Sequence, residues 1–113
     1  VITVQTPLAQ NNQPDMTFVS QVIQSIAPLI EKGNLIILES TSPVGATELI
    51  SDELRNLRKD LSFPHYKSTK DHDVNIAYCP ERVLPGNTLE ELQTNDRILG
   101  GMTKQCAIKA QNF

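Results

Sequence analysis

Two side chains of opposite charge stand together in the stretch NIAYCPERVLPG: Glu81 and Arg82, with Pro80 before them and Pro85 after them. A carboxylate can take a proton from water, and a guanidinium can hold an anion. Proline restricts the backbone around the pair. A surface ion pair contributes little and needs no such frame, so the arrangement points to function. Two further polar clusters carry hydroxyls: Thr6 before Pro7, and Glu39-Ser40-Thr41-Ser42 before Pro43. Ser42 reads as a helix N-cap with Pro43 at the first helical position, and a helix start offers free N–H groups to a phosphate or an oxyanion. Glu39 stands at a strand end with no assigned chemistry. Cys79 ends an apolar run and reads as packing, with no His or Lys beside it to activate it; Cys106 reads as core. There is no CxxC and no Cys/His ligand spacing, so no metal is expected. His65 and His72 lie in a polar stretch and read as solvated loop residues.

The elements that must position these residues follow from periodicity. Residues 1–5 are a β-rich run, ended by Thr6-Pro7. Pro14-Asp15 opens a helix, with Asp15 as N-cap; Val19, Val22, Ile23, Ile26 and Ile30 form its apolar face, Pro28 kinks its last turn, and Gly33 stops it. Leu35, Ile36, Ile37 and Leu38 form a short continuous apolar run, as in a parallel strand covered on both faces. A second helix follows Ser42, with Thr47, Ile50, Leu54 and Leu57 inward and Asp52, Glu53, Arg55 and Arg58 on a solvated side. Residues 62–73 read as a surface loop and residues 74–78 as a third strand. A capping box, Thr88 to Glu91, begins a short helix. Residues 97–99 read as a fourth strand stopped by Gly100-Gly101, and a last helix begins at Thr103. Strands alternating with helices predict an α/β fold, a partial doubly wound (Rossmann-like), mostly parallel sheet. Ligands of such sheets bind beyond the carboxyl ends of the strands, where Thr6, the Glu39–Ser42 cluster and the Glu81-Arg82 pair all fall.

Composition narrows the class. With 113 residues, 39% hydrophobic and 20% charged, the chain suits a single globular domain. A net charge of −3 gives no basic footprint for nucleic acid. No apolar run approaches the ~20 residues of a membrane span, and no signal peptide is evident. Two distant cysteines fit a reducing, cytoplasmic setting. The chain opens on Val1-Ile2-Thr3-Val4 without methionine, in the middle of a strand-like run, and reads as a piece of something longer. The G-x-G-x-x-G turn of a complete dinucleotide-binding domain is absent from it.

The stretches TPLAQNNQPDMTFV, LIILESTSPVGATE and VNIAYCPERVLPGNTLEELQTNDRILGG, in that order, resemble the nucleotide-sugar 6-dehydrogenases over nearly the whole chain. The STSPVG and CPERVLPG blocks together are the specific part. The resemblance implies an enzyme that uses two NAD to oxidise the C6 alcohol of a UDP-sugar to a carboxylate, through an aldehyde and a cysteine thioester. It implies that residues 1–113 are the second half of the NAD-binding domain. The Gly-rich loop would lie upstream. The nucleophilic cysteine, the UDP-sugar domain and a long dimer helix would lie downstream. Such a piece is expected to be inactive alone, and its parent to be a homodimer.

By the same resemblance Thr6, Ser40 and Thr41 form the cofactor-binding set, with Thr6 near the ribose. Thr41 helps to hold the hydrolytic water. Glu81 is the catalytic carboxylate at the reacting carbon, as base or water-positioning group; Glu81 and Arg82 form the substrate-binding set, with Arg82 open to a contact with either the sugar or the cofactor. Relatives acting on UDP-glucose carry a second glutamate four residues after the first. Pro85 stands there in this chain, which favours the mannosamine branch. The competing readings are a UDP-glucose or UDP-N-acetylglucosamine enzyme, a non-catalytic truncated remnant, and an independent small-ligand α/β module.

Overall fold

The computed structural model describes residues 1–10, 12–65, 70–82, 86 and 94–113. Helix α1 (Thr17–Ile26) leads through a 3-10 turn (Ala27–Leu29) to strand β1 (Leu35–Leu38). Helix α2 (Ala46–Leu57), strand β2 (Asn75–Tyr78), strand β3 (Gly100–Gly101) and helix α3 (Lys104–Gln111) follow. The sheet runs β1-β2-β3. β1 and β2 are parallel, Leu35 opposite Asn75 and Leu38 opposite Tyr78, and β3 is antiparallel to β2. The α/β reading and the mostly parallel sheet hold.

Alternation along β1 separates two faces. Ile36 and Leu38 join Ile76 in one buried cluster with Val19 and Ile23 of α1 and Ile50 and Leu54 of α2. Ile37 and Cys79 lie on the other side, in a hollow of about 600 Å³ shared with Ala107 and Ala110 of α3. β1 is thus apolar at every position because helices stand on both sides of it. α3 comes close because Gly101 has no Cβ; one placed there would lie 2.2 Å from the Ala107 nitrogen. Thr103 caps α3, accepting the Cys106 N–H at 3.2 Å.

Several expectations are corrected. Residues 1–5 pair with β1 only at the bridge from Ile2 to Leu38. The first helix starts at Thr17, with Met16 rather than Asp15 at the cap, although the Asp15 carboxylate still accepts the Thr17 N–H at 2.9 Å. Pro28 does end the α-helix, in the 3-10 turn. The second helix starts at Ala46, not Pro43, because Gly45 takes φ +93° and breaks the helical path before it. Leu57 is 47% exposed. Arg58 is no free surface charge: its Nη1 donates to the carbonyls of Ala27 and Ile30 at 2.6 and 2.8 Å, and its fork grips Asp60. The stretch around residues 62–73 is partly interior, with Phe63 and Pro64 buried and the Ser51 hydroxyl donating to the Pro64 carbonyl.

His72 is buried, 9% exposed, rather than solvated. Its Nε2 lies 3.2 Å from Cys106 Sγ, which also accepts the Ile76 N–H, while its Nδ1 meets no partner among the described residues. The strand expected at residues 97–99 is Gly100–Gly101 instead, where Gly101, lacking a Cβ, lets α3 lie against the backbone. The expected helix from Thr88, and Pro85, lie outside the described residues.

Candidate functional site

Three chain segments end at one rim of the sheet. The ladder between β1 and β2 continues past the strands: Cys79 N–H donates to the Leu38 carbonyl at 2.9 Å, and Glu81 N–H to the Glu39 carbonyl at 3.3 Å. Glu39 and Glu81 are therefore backbone neighbours, although 42 positions separate them in sequence (81 − 39). The segment from residue 1 is tied in by Ser40. Its hydroxyl accepts the Val4 N–H at 2.8 Å, and the residue is only 8% exposed. Ser40 thus faces the interior and fastens the first segment to β1.

Thr6 donates its hydroxyl to the backbone carbonyl of Thr41. Thr41 itself is exposed. Beyond it the Ser42 N–H donates to Tyr78 Oη at 3.2 Å, and the Ser42 hydroxyl to the Ser40 carbonyl at 2.9 Å. Ser42 is therefore held in the loop and does not cap α2. Gly45 gives α2 no side-chain cap, the Ala46 N–H donates to the Pro43 carbonyl at 3.1 Å, and the helix begins beside a hollow lined by Ser42, Val44, Thr47 and Tyr78.

Glu81 is exposed, and one carboxylate oxygen accepts the Arg82 N–H at 2.8 Å. Arg82 is exposed beside it. The other oxygen of Glu81 lies 3.4 Å from Arg97 Nη2, and Arg97 Nη1 donates to Glu39 at 2.8 Å. The Glu39 carboxylate above all, then the Cys79 thiol and the Glu81 charge, hold the Arg97 pKa above its ordinary value. Sequence reading missed Arg97, assigned to a strand, and left Glu39 without a role. The signal was a cation opening an apolar triplet, and only the tertiary path of residues 97–99 gives it meaning. Cys79 is buried, as expected of packing. Among the described residues no group of His, Cys, Asp or Glu side chains could hold a metal, and no helix is long and apolar enough to cross a membrane.

Parallel strands covered on both faces, with hydroxyls and a carboxylate gathered at their carboxyl ends, define a Rossmann-type nucleotide-binding domain. All of residues 1–113 match the UDP-glucose/GDP-mannose dehydrogenase family, NAD binding domain, and the chain belongs to that family. It is 53% identical to a UDP-N-acetyl-D-mannosamine dehydrogenase of Escherichia coli over 113 residues, all of this chain and 27% of that protein. It is 52% identical to an NDP-N-acetyl-D-galactosaminuronic acid dehydrogenase of Ralstonia nicotianae over all of this chain and 26% of the relative. The solved structure of a UDP-D-ManNAc dehydrogenase from Pyrococcus horikoshii superposes with a TM-score of 0.82 at 35% identity, over 97% of this chain and 24% of that one. The chain thus spans about a quarter of the length of these relatives.

The cofactor of this domain is NAD. Thr6, whose hydroxyl donates to the Thr41 backbone carbonyl, and the exposed Thr41 beside it put polar groups at the strand ends that suit the hydroxyl-bearing parts of a dinucleotide. The diphosphate has no G-x-G-x-x-G turn to meet in these 113 residues.

Proposed function

We propose that residues 1–113 are the second half of the NAD-binding domain of an enzyme that oxidises UDP-N-acetyl-D-mannosamine at C6 to UDP-N-acetylmannosaminuronate. The observation that carries this reading is the single rim on which Thr6, Thr41 and Glu81 stand, cross-linked from Thr6 to Thr41 and from Glu39 through Arg97 to Glu81. The 53% identity to the E. coli relative supports the choice of sugar. The quarter-length coverage supports the reading as part of a larger enzyme, whose UDP-sugar domain and homodimer contacts lie outside this chain.

Converting the C6 alcohol to a carboxylate removes four electrons and adds one oxygen. Two hydrides leave carbon, one water supplies the oxygen, and the remaining protons go to solvent. NAD supplies the hydride acceptor in both oxidations. Thr6 fixes the Thr41 backbone beside the cofactor, and Ser40 fixes the segment that carries Thr6. The Thr41 hydroxyl helps to hold the water of the hydrolytic step. Glu81 stands at the reacting carbon and takes the proton that this water loses as it attacks. Arg82, next to it, meets the substrate.

The test is Glu81→Gln in the complete enzyme, read by single-turnover kinetics. A neutral amide cannot accept the proton, so the hydrolytic half should slow by roughly 10²–10⁴-fold while the first hydride transfer changes far less. Unchanged overall turnover overturns the role. Assays with the mannosamine, galactosamine, glucosamine and glucose nucleotides decide the sugar, and the 113-residue chain alone should produce no NADH.

A further inference from the structure

Glu39 and Glu81 share one guanidinium, and the sharing is unequal. Arg97 Nη1 donates to Glu39 Oε1 at 2.8 Å, whereas Nη2 lies 3.4 Å from Glu81 Oε2. The Glu39 side chain is 23% exposed and the Glu81 side chain 45%. The cation is therefore anchored on the more sheltered acid and turned toward the more open one. The other oxygen of Glu81, Oε1, is held by the Arg82 N–H at 2.8 Å. Both oxygens of the carboxylate thus meet a donor, one from the backbone and one from Arg97. A guanidinium is a planar fork, so fixing one of its nitrogens fixes the direction of the other.

A carboxylate that takes a proton from a bound water must stand within hydrogen-bond reach of it. An exposed glutamate left alone samples many rotamers. Exposed ion pairs add little to folding, so three charged side chains gathered at this rim are better explained by the angle they impose than by stability. We infer that Arg97 is a positioning residue for Glu81, with Glu39 as its anchor. This rests on the reading of Glu81 as the proton acceptor. It also gives Glu39, which had no assigned chemistry, a part at the rim.

The experiment is a double-mutant cycle in the complete enzyme, using Arg97→Met, Glu81→Gln and both together, with Arg97→Lys and Glu39→Gln as companions. Arg97→Met should slow the hydrolytic half by roughly 10²-fold, the scale of a misplaced catalytic group, with KM for the nucleotide sugar nearly unchanged. In the Glu81→Gln background the same change should cost almost nothing, because there is no longer a carboxylate to aim. Arg97→Lys, which keeps the charge but not the fork, should fall between Met and the native residue. Glu39→Gln should slow the same half-reaction. Additive losses from Arg97→Met and Glu81→Gln overturn the inference while leaving Glu81 in its role. A Glu81→Gln enzyme with native turnover overturns both. Should Arg97→Met fail to fold, the same cycle run with Arg97→Lys separates coupled from additive losses in its place.

Discussion

Thr6 donates its hydroxyl to the backbone carbonyl of Thr41, so two residues 35 positions apart form one unit at the sheet rim. The bond lies where the first segment leaves the sheet, and it connects two strand ends that share no ladder beyond Ile2 and Leu38. Thr6→Val removes the donor at nearly constant shape. A hydrogen bond of this kind contributes about 0.5–1.5 kcal/mol, so the KM for NAD of the complete enzyme should rise by roughly 2- to 10-fold. Thr6→Ser keeps the donor and should stay near the native value. Steady-state kinetics with NAD varied checks both, and equal KM values for Val and Ser count against the link.

Gly100 and Gly101 are neighbours in β3 with opposite tolerance. A Cβ on Gly101 would lie 2.2 Å from the Ala107 nitrogen and 2.7 Å from its Cα, whereas one on Gly100 meets nothing within 4 Å. Gly101→Ala must push α3 off the sheet, at a cost of about 1–3 kcal/mol. Gly100→Ala should remain within about 0.5 kcal/mol of native. Urea unfolding of the two variants of the complete enzyme measures the difference, and similar losses at both positions would show that α3 does not rest on Gly101.

Asp60 gives an acid-dependent contribution with a defined window. The Arg58 side-chain hydrogen bond is the main cause that lowers its pKa to about 2. A depressed carboxylate contributes stability above its unfolded pKa of about 4, and that contribution fades as pH falls toward the folded value. The melting temperature of Asp60→Asn should therefore lie below native at pH 6 and converge on it near pH 2. A gap that stays constant across this range excludes linkage through Asp60.

The βα alternation was legible because it depends on local pattern. Leu35–Leu38 is uniformly apolar, and α1 carries an apolar face ending where Pro28 turns the chain. Thr103 gave a helix start that needed no tertiary help. Most of the misses come from contact between residues far apart in sequence, and one also from a local backbone turn. Ser42-Pro43 has the residue types of a helix start, but Gly45 at φ +93° and the bond from Ser42 to Tyr78 overrule them. His72 sits in a polar stretch and is drawn inside by Cys106. At the rim, Thr6, Thr41, Glu81 and Arg82 were named from sequence, and the structure gathers them at the strand ends. Arg97 escaped because its partners come from two other strand ends.

The first segment meets β1 on one side only. The Ile2 N–H donates to the Ile37 carbonyl at 2.7 Å, and the Ile2 carbonyl accepts the Glu39 N–H at 2.9 Å. Successive residues of an extended chain direct their backbone groups to opposite sides, so those of Thr3 point away from β1, and no hydrogen bond to them occurs among the described residues. Such a border acts as a template. A strand docking there has its register dictated by Thr3, and a slip of one residue would turn its apolar side chains to the wrong face. An unpaired border of this kind is open to any extended strand of matching register, so it sets where and in which frame a further strand can join the sheet.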